Sequence, residues 1–599
     1  FYGKTFEVTT PSTGKWMVEM PPMKAGGPFE MIIRGNNEVK ISNILLGDVW
    51  LCSGQSNMEY TLNMLGTYEN EIKLANIEEV RMLKVANLAT DTLRTDIGTT
   101  GWKSVSPENT GSFSATAYFF GKELYQLYRI PIGLISSNWG GSPVEVWMSE
   151  ENLKSFPDIK IAYDEVKKSK DERRQRMRLR EASIPQWCIR AKQEDQGRKQ
   201  KFESVLYNDN TWEEISFPGN FTDEKISGFD GVIWLRKTFD VPASMVGKDL
   251  ILDLGSVDDM DDTYFNGVRI GGMKKHNDER QYKIPGKLIK EGKATIAIRL
   301  IDYGGGAGVN GLLKLYSESD AISLQGPWKY RATFNFKDIK GYIEPDWSTG
   351  GGWRPATLYN AMINPLLKYA IKGAIWYQGE SNANRAYQYR QLFPAMIAEW
   401  RQKWNIGDFP FLYVQLANFL KPDTVPAMDP WPELREAQML SLTVPNTCMA
   451  SAIDLGEVYD IHPKNKHDVG KRLAYCAMSL VYNQKDVVPM GPIYESMKID
   501  GNKVVLNFSH TAGKLIERGG PLEEFYIAGK DQKFYKAKAK IVKNTVEVAA
   551  EEVQEPVAVR YAWANNPIKA NLYNAAGLPA SPFRTDSWKG KTENNTKLE

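Results

Sequence analysis

Nucleophilic catalysis needs an activated oxygen, a base beside it, and donors for the charge that develops in the transition state. Residues 47–58, GDVWLCSGQSNM, hold a serine suited to the first role. The apolar run from Ile44, Leu45 and Leu46 through Trp50 and Leu51 predicts a buried strand ending at Ser53 and Gly54. Ser56 follows two residues after Gly54, where a turn presents a hydroxyl at the sheet's C-terminal edge. Taken alone, the pattern also describes a strand-to-helix turn with Ser56 as N-cap.

The base is sought among only four histidines, His276, His462, His467 and His510. His462 lies in IDLGEVYDIHP, after the apolar residues 448–453, as expected of a strand feeding a loop. Asp460, two residues earlier, is near enough to orient its ring. His467, beside Asp468, reads as a solvated or capping residue at the start of a helix over 469–480. His276 reads as an exposed loop residue and His510 as surface or sheet after a strand over 504–508.

Two further segments repeat the strand-then-polar-loop pattern. Ala374, Ile375, Trp376 and Tyr377 precede Gln378, Gly379, Glu380, Ser381 and Asn382. Residues 132–135 precede Ser136, Ser137, Asn138, Trp139, Gly140, Gly141 and Ser142. Any one such loop reads as structural. Four of them predict parallel strands whose C-terminal ends gather into a catalytic crevice.

The set GQSNM, SNWGGSPVEVW, WYQGESNA and DIHPKNK closely resembles the sialate O-acetylesterases and related carbohydrate acetylesterases of the SGNH hydrolase superfamily. So does the run RPATLYNAMINP at 354–365. The likeness covers residues 40–150 and 325–480, in the family's order. It implies a flavodoxin-like α/β/α domain, hydrolysis of acetyl esters on sugars, Ser56 as nucleophile and His462 as base. The broader superfamily places its aspartate three residues before the histidine, where this chain has Tyr459. Asp460 matches the sialate-type branch, with Asp454 and Glu380 as substitutes for the acid.

On that resemblance, Ser56 attacks the acetyl carbonyl, His462 carries its proton to the departing sugar oxygen, and Asp460 fixes the imidazole tautomer. The position of the motifs points to the Ser56 N–H, the N–H of Gly140 or Gly141 and the Gln378 side chain as an oxyanion hole. A plain tight turn is the alternative reading of the two glycines. Glu380 could orient Gln378 or the Ser56 loop. Asn57 and Asn382 read as supports of the site, sugar contacts or ordinary loop residues, and Arg385 or Arg354 as partners for a sialate carboxylate. The chemistry calls for no metal and no cofactor. Cys52, Cys188, Cys448 and Cys476 lack metal-ligand spacing, and three sit in apolar surroundings like small core residues.

The remaining sequence must build around this site. With 599 residues, 42% hydrophobic and 25% charged, the chain fits a soluble protein of three or more domains. A net charge of +2 gives no field that recruits nucleic acid, and no stretch is apolar enough to span a bilayer. The 17 tryptophans support sugar stacking only weakly, since Trp50 and Trp376 lie in core-like strands. So few cysteines predict no disulfide framework. The start at Phe1, in what reads as the middle of a β hairpin, suggests a processed chain whose secretion signal is gone, hence a secreted or periplasmic protein.

The predicted organisation is a β segment over 1–43, including an alternating strand at 16–20, then the first part of the catalytic domain over 44–202. The charged stretch 166–201 reads as a solvated helix or linker. An inserted jelly-roll, galactose-binding-like module spans 203–322, with an Asn-Gly hairpin at 266–267. The catalytic domain resumes over 323–485, and a C-terminal β domain, expected as a β sandwich, fills 486–599, with 590–599 as a loose polar tail. The loops 303–308 and 348–353 are linkers or site-rim loops. The expected partner is an acetylated glycan, most simply O-acetylated sialic acid. Acetylated xylan or another plant polysaccharide is the alternative, and a non-catalytic glycan binder is the alternative of another class. Oligomeric state is not written in these residues.

Overall fold

The computed structural model describes residues 1–168, 170–221, 226, 228–275, 278–305, 307–317, 320–344, 354–422 and 429–596. His276, Gly306 and the expected rim loop 348–353 lie outside the described residues. The chain forms two compact units, one of 1–163, 351–458 and 462–598, the other of 164–350 and 459–461.

A seven-stranded sheet organises the first unit. Its strands are β1 (Asp48–Gly54), β2 (Ile77–Lys84), β3 (Trp102–Val105), β4 (Ile132–Asn138), β5 (Gly373–Tyr377), β6 (Phe411–Gln415) and β7 (Thr447–Ser451). Their order is β7-β6-β5-β1-β4-β2-β3, parallel throughout except for the antiparallel edge pair β2 and β3. Parallel strands covered on both faces must be apolar at every position. Hence GAIWY of β5 is buried throughout.

Five helices matter to the site: α1 (Ser56–Glu59), α2 (Ala115–Tyr128), α3 (Ala386–Trp404), α4 (Pro430–Leu440) and α5 (Lys466–Leu480). The register pairs Trp50 with Gly373 and Ser53 with Trp376, so Trp50 and Trp376 point to opposite faces. Trp50 meets Phe120 of α2 edge-on at 5.0 Å, and Trp376 meets Trp400 of α3 at 5.7 Å. Fully burying a side chain such as Phe120 contributes about 1.5–3 kcal/mol. Gly470 lets α5 close on α2, because a Cβ there would lie 2.7 Å from that of Phe119.

The single strand expected from Ile44 through Leu51 is two strands. Glu38–Leu46 pairs with Gly26–Arg34 in a hairpin, and β1 starts after Gly47. A Cβ on Gly47 would sit 1.9 Å from the Pro131 carbonyl oxygen, so the break needs glycine. Residues 16–20 alternate but form no strand, and Trp16, Met17 and Met20 stay exposed, because among the described residues no neighbouring strand pairs with them.

The second unit holds two antiparallel sheets of six strands each. Strand Gly231–Val241 shows why the unit is wider than 203–322. Ile233 and Leu235 face the core shared by the two sheets. Val232 and Trp234, on the other face, pack with Trp187, Ala191 and Phe336. The helix Lys170–Glu194 is therefore not a solvated linker along its length; its C-terminal part covers a sheet face. Buried Asp195 just after it accepts from Arg299 Nε at 2.6 Å and from Trp234 Nε1 at 3.1 Å. The hairpin at Asn266 and Gly267 has φ of 47° and 82°, as the Asn-Gly turn predicts.

Residues 493–584 add strands in sheets of four, two and four around a separate core that includes Leu506, Ile527, Val546 and Val559. The expected loose tail is anchored as far as the described residues reach. Lys591 and Thr592 donate their N–H groups to Glu433 of α4 at 2.6 and 3.0 Å, and Thr592 is buried.

Candidate functional site

The four predicted loops leave the C-terminal ends of β1, β4, β5 and β7 in one sheet. β1 lies between β4 and β5, where the strand order reverses direction, and such a switch point opens a crevice. Gly54 ends β1 with φ +138°, and a Cβ on it would meet the Tyr377 carbonyl oxygen at 2.2 Å. That close approach holds Gln55, whose N–H donates to the same oxygen at 3.0 Å, and starts α1 at Ser56. Gln55, not Ser56, is the N-cap.

Ser56 Oγ lies 3.0 Å from His462 Nε2. Two residues 406 apart in sequence thus stand within hydrogen-bonding reach. Tyr60 stacks on the His462 ring, with centroids 4.2 Å apart and planes at 16°. His467 points elsewhere: it is exposed and bonds Asp468 at 3.0 Å. The two substitutes for the acid are engaged with other groups. Asp454 accepts both Arg472 guanidinium nitrogens, at 2.6 and 2.8 Å, and the Tyr573 hydroxyl at 3.1 Å. Glu380 accepts from Asn57 Nδ2 at 2.6 Å. Burial pushes the Glu380 carboxyl above its ordinary range, and hydrogen bonding from Asn57 and the charges of His462 and Lys466 pull it partly back.

The oxyanion donors need correction. Gln378 is fully buried, and its Nε2 donates to the Ser142 carbonyl at 3.2 Å and to Asn382 Oδ1 at 2.7 Å, while its Oε1 accepts from Tyr389. Both amide hydrogens are used, so it ties loops together and has none left for substrate. The Gly140 N–H donates to Glu59 Oε2 at 2.6 Å. The N–H groups of Ser56 and Gly141 have no acceptor among the described residues. Gly140 instead provides room, since a Cβ there would lie 3.4 Å from that of Ser56.

Against this geometry stand three likenesses. Residues 342–479 match the family model described as carbohydrate esterase, sialic acid-specific acetylesterase. Over 97% of its length the chain is 25% identical to sialate O-acetylesterase of Mus musculus, covering 85% of that protein, and 24% identical to that of Homo sapiens, covering 84%. A carbohydrate acetylesterase from Xanthomonas citri has a similar structure, with a TM-score of 0.61 at 29% identity over 96% of this chain and 89% of that one. The chain is an esterase that resembles the sialate O-acetylesterases and carbohydrate acetylesterases.

Several loop residues of the esterase hold structure and not sugar. Asn382 is buried, accepts from the Val144 N–H at 2.8 Å and donates to Glu145 at 3.0 Å. Arg385 is buried against the same Glu145 and also bonds Gln388. It is therefore no free partner for a carboxylate, and Arg354 is likewise paired with Asp91 at 2.8 Å. The residues that sequence reading passed over are Glu59, Tyr60, Glu145 and Lys466. Lys466 had one readable signal: a cation in the first turn of a helix opposes the helix dipole and needs a local partner.

Cys448 and Cys476 of the esterase form a disulfide, where no framework was expected. Their 28-residue separation hides the pairing in sequence, but β7 and α5 bring the two sulfurs together. The bond closes the segment that carries His462. Converting both cysteines to serine should lower stability by about 3 kcal/mol through the freed chain entropy. Thermal melts with and without reductant check this: wild type under reduction should approach the variant, and the variant itself should not respond to reductant.

Proposed function

We propose that the esterase removes O-acetyl groups from sialic acid, with Ser56 as nucleophile and His462 as its base. The 3.0 Å contact between Ser56 Oγ and His462 Nε2 carries this reading. The Ser56 oxygen bonds to the acetyl carbon as its proton passes to Nε2. The Ser56 and Gly141 N–H groups receive the developing oxyanion. Collapse breaks the bond to the sugar oxygen, which takes the proton from His462. Water, deprotonated by the same ring, then releases acetate and restores Ser56.

Asp460 orients His462 in this scheme. Asp460→Asn should cut turnover by about 10⁴-fold with little change in KM, because the amide favours the wrong tautomer and cannot stabilise the imidazolium. Asp454→Asn and Glu380→Gln, measured beside it, should lose less. A greater loss from either would move the acid to that residue.

The substrate assignment draws on the sialic acid-specific family model and the curated relatives. A neutral acetylated polysaccharide such as xylan is the second reading, favoured by the engagement of Arg385 and Arg354 with Glu145 and Asp91. Acetate release from a panel of O-acetylated sialic acids and acetylated xylo-oligosaccharides decides between them. The first reading expects the highest kcat/KM on a sialate, and hydrolysis confined to xylo-oligosaccharides would replace it. The same reading takes the parallel sheet as a flavodoxin-like SGNH hydrolase domain and the second unit as an insertion built on a jelly roll. It places the esterase in a secreted or periplasmic setting, where the Cys448–Cys476 disulfide would persist.

A further inference from the structure

Lys466 is the first residue of α5 and has no solvent exposure. A buried ammonium is costly unless opposite charge and acceptors surround it. Its Nζ donates to Asn57 Oδ1 and lies 5.2 Å from the centre of the Tyr377 ring. Asn57 is itself buried, donates through Nδ2 to Glu380 Oε1, and accepts the Thr116 hydroxyl on its backbone oxygen at 3.2 Å. The Asn57 amide thus stands between a cation and a carboxyl group, and the residue next to it is Ser56. Glu380 Oε2 is enclosed without a hydrogen-bond partner, and burial, which disfavours its ionised form, is opposed by the nearby Lys466 charge.

We infer that Lys466 is a positioning residue of the esterase: through Asn57 it fixes the first turn of α1, and with it the Ser56 oxygen, and it balances the buried charge of Glu380. The inference rests on Ser56 being the nucleophile. Four elements meet in this arrangement, with Asn57 on α1, Tyr377 at the end of β5, Glu380 at the start of the 3₁₀ helix Glu380–Arg385 and Lys466 on α5. α5 also follows directly on the segment bearing His462. The network therefore ties the serine and the histidine to one buried charge pair. A nucleophile displaced by about 1 Å can lose ~10²-fold in rate.

Lys466→Met keeps the length and apolar character of the stem and removes the charge. It should lower kcat on p-nitrophenyl acetate by about 10²-fold with KM changed less than about twofold, since no substrate contact is touched. Glu380→Gln in the same chain removes the charge that Lys466 balanced. The Lys466→Met, Glu380→Gln double variant should therefore recover about tenfold over Lys466→Met alone, a coupling that mere packing would not produce. If Lys466→Met is insoluble, a soluble double variant supports the inference and an insoluble one overturns it. Near-wild-type kcat for Lys466→Met, or losses that simply multiply in the double variant, would also overturn it. Ser56→Ala run in parallel separates the two failures: if it retains activity, the nucleophile assignment falls, whereas an inactive Ser56→Ala beside an unimpaired Lys466→Met removes only the role of Lys466.

Discussion

Ser56→Ala is expected to lower kcat on an acetylated sugar by at least ~10⁴-fold, with KM and the melting midpoint nearly unchanged. The hydroxyl contributes nothing to holding α1, because the N-cap is Gln55 and the turn is anchored by its N–H on Tyr377. Alanine is a good helix former, so the first turn should persist. Residual turnover would come from the oxyanion donors and substrate binding alone. The check is acetate release under saturating substrate together with a thermal melt. Turnover within tenfold of wild type would remove Ser56 from the chemistry.

His462→Ala should be nearly as damaging, again by about 10⁴-fold or more, and the Ser56→Ala, His462→Ala double variant should be little worse than either single. The reason is geometric. With His462 Nε2 at 3.0 Å, neither residue acts without the other, so their losses do not add. His467→Ala supplies the contrast. Its ring is exposed and bonded to Asp468, and a loss of less than about threefold is expected, as for surface substitutions away from a site. Steady-state kinetics of the four variants test this together. Multiplying losses, or an inactive His467→Ala beside an active His462→Ala, would reassign the base.

The strand ends were legible for a physical reason. Strands covered on both faces must read as apolar runs, so GAIWY and the core of VWLCSG announced themselves, and the polar residues after them marked the catalytic edge. The partners of individual side chains were not legible. Gln378 is committed to Ser142 and Arg385 to Glu145, 236 and 240 residues away, and nothing local in WYQGESNANR discloses it. The same holds for Gly140, whose N–H is taken by Glu59, 81 residues upstream. Residues 16–20 failed in the other direction, because alternation predicts a strand only where a neighbouring strand exists to pair with it. The helix Lys170–Glu194 misled because its charge masks the few residues, Trp187 and Ala191 among them, that cover the second unit's sheet.

Whether Ser56 is the oxygen that takes the acetyl group is decided by irreversible labelling with a fluorophosphonate, followed by peptide mapping and assay of acetate release. One label per chain is expected, on the peptide containing Ser56, with activity lost in proportion and protection by acetylated sugar. Labelling of a different residue with full loss of activity, or a fully labelled Ser56 in an enzyme that still releases acetate, would contradict it.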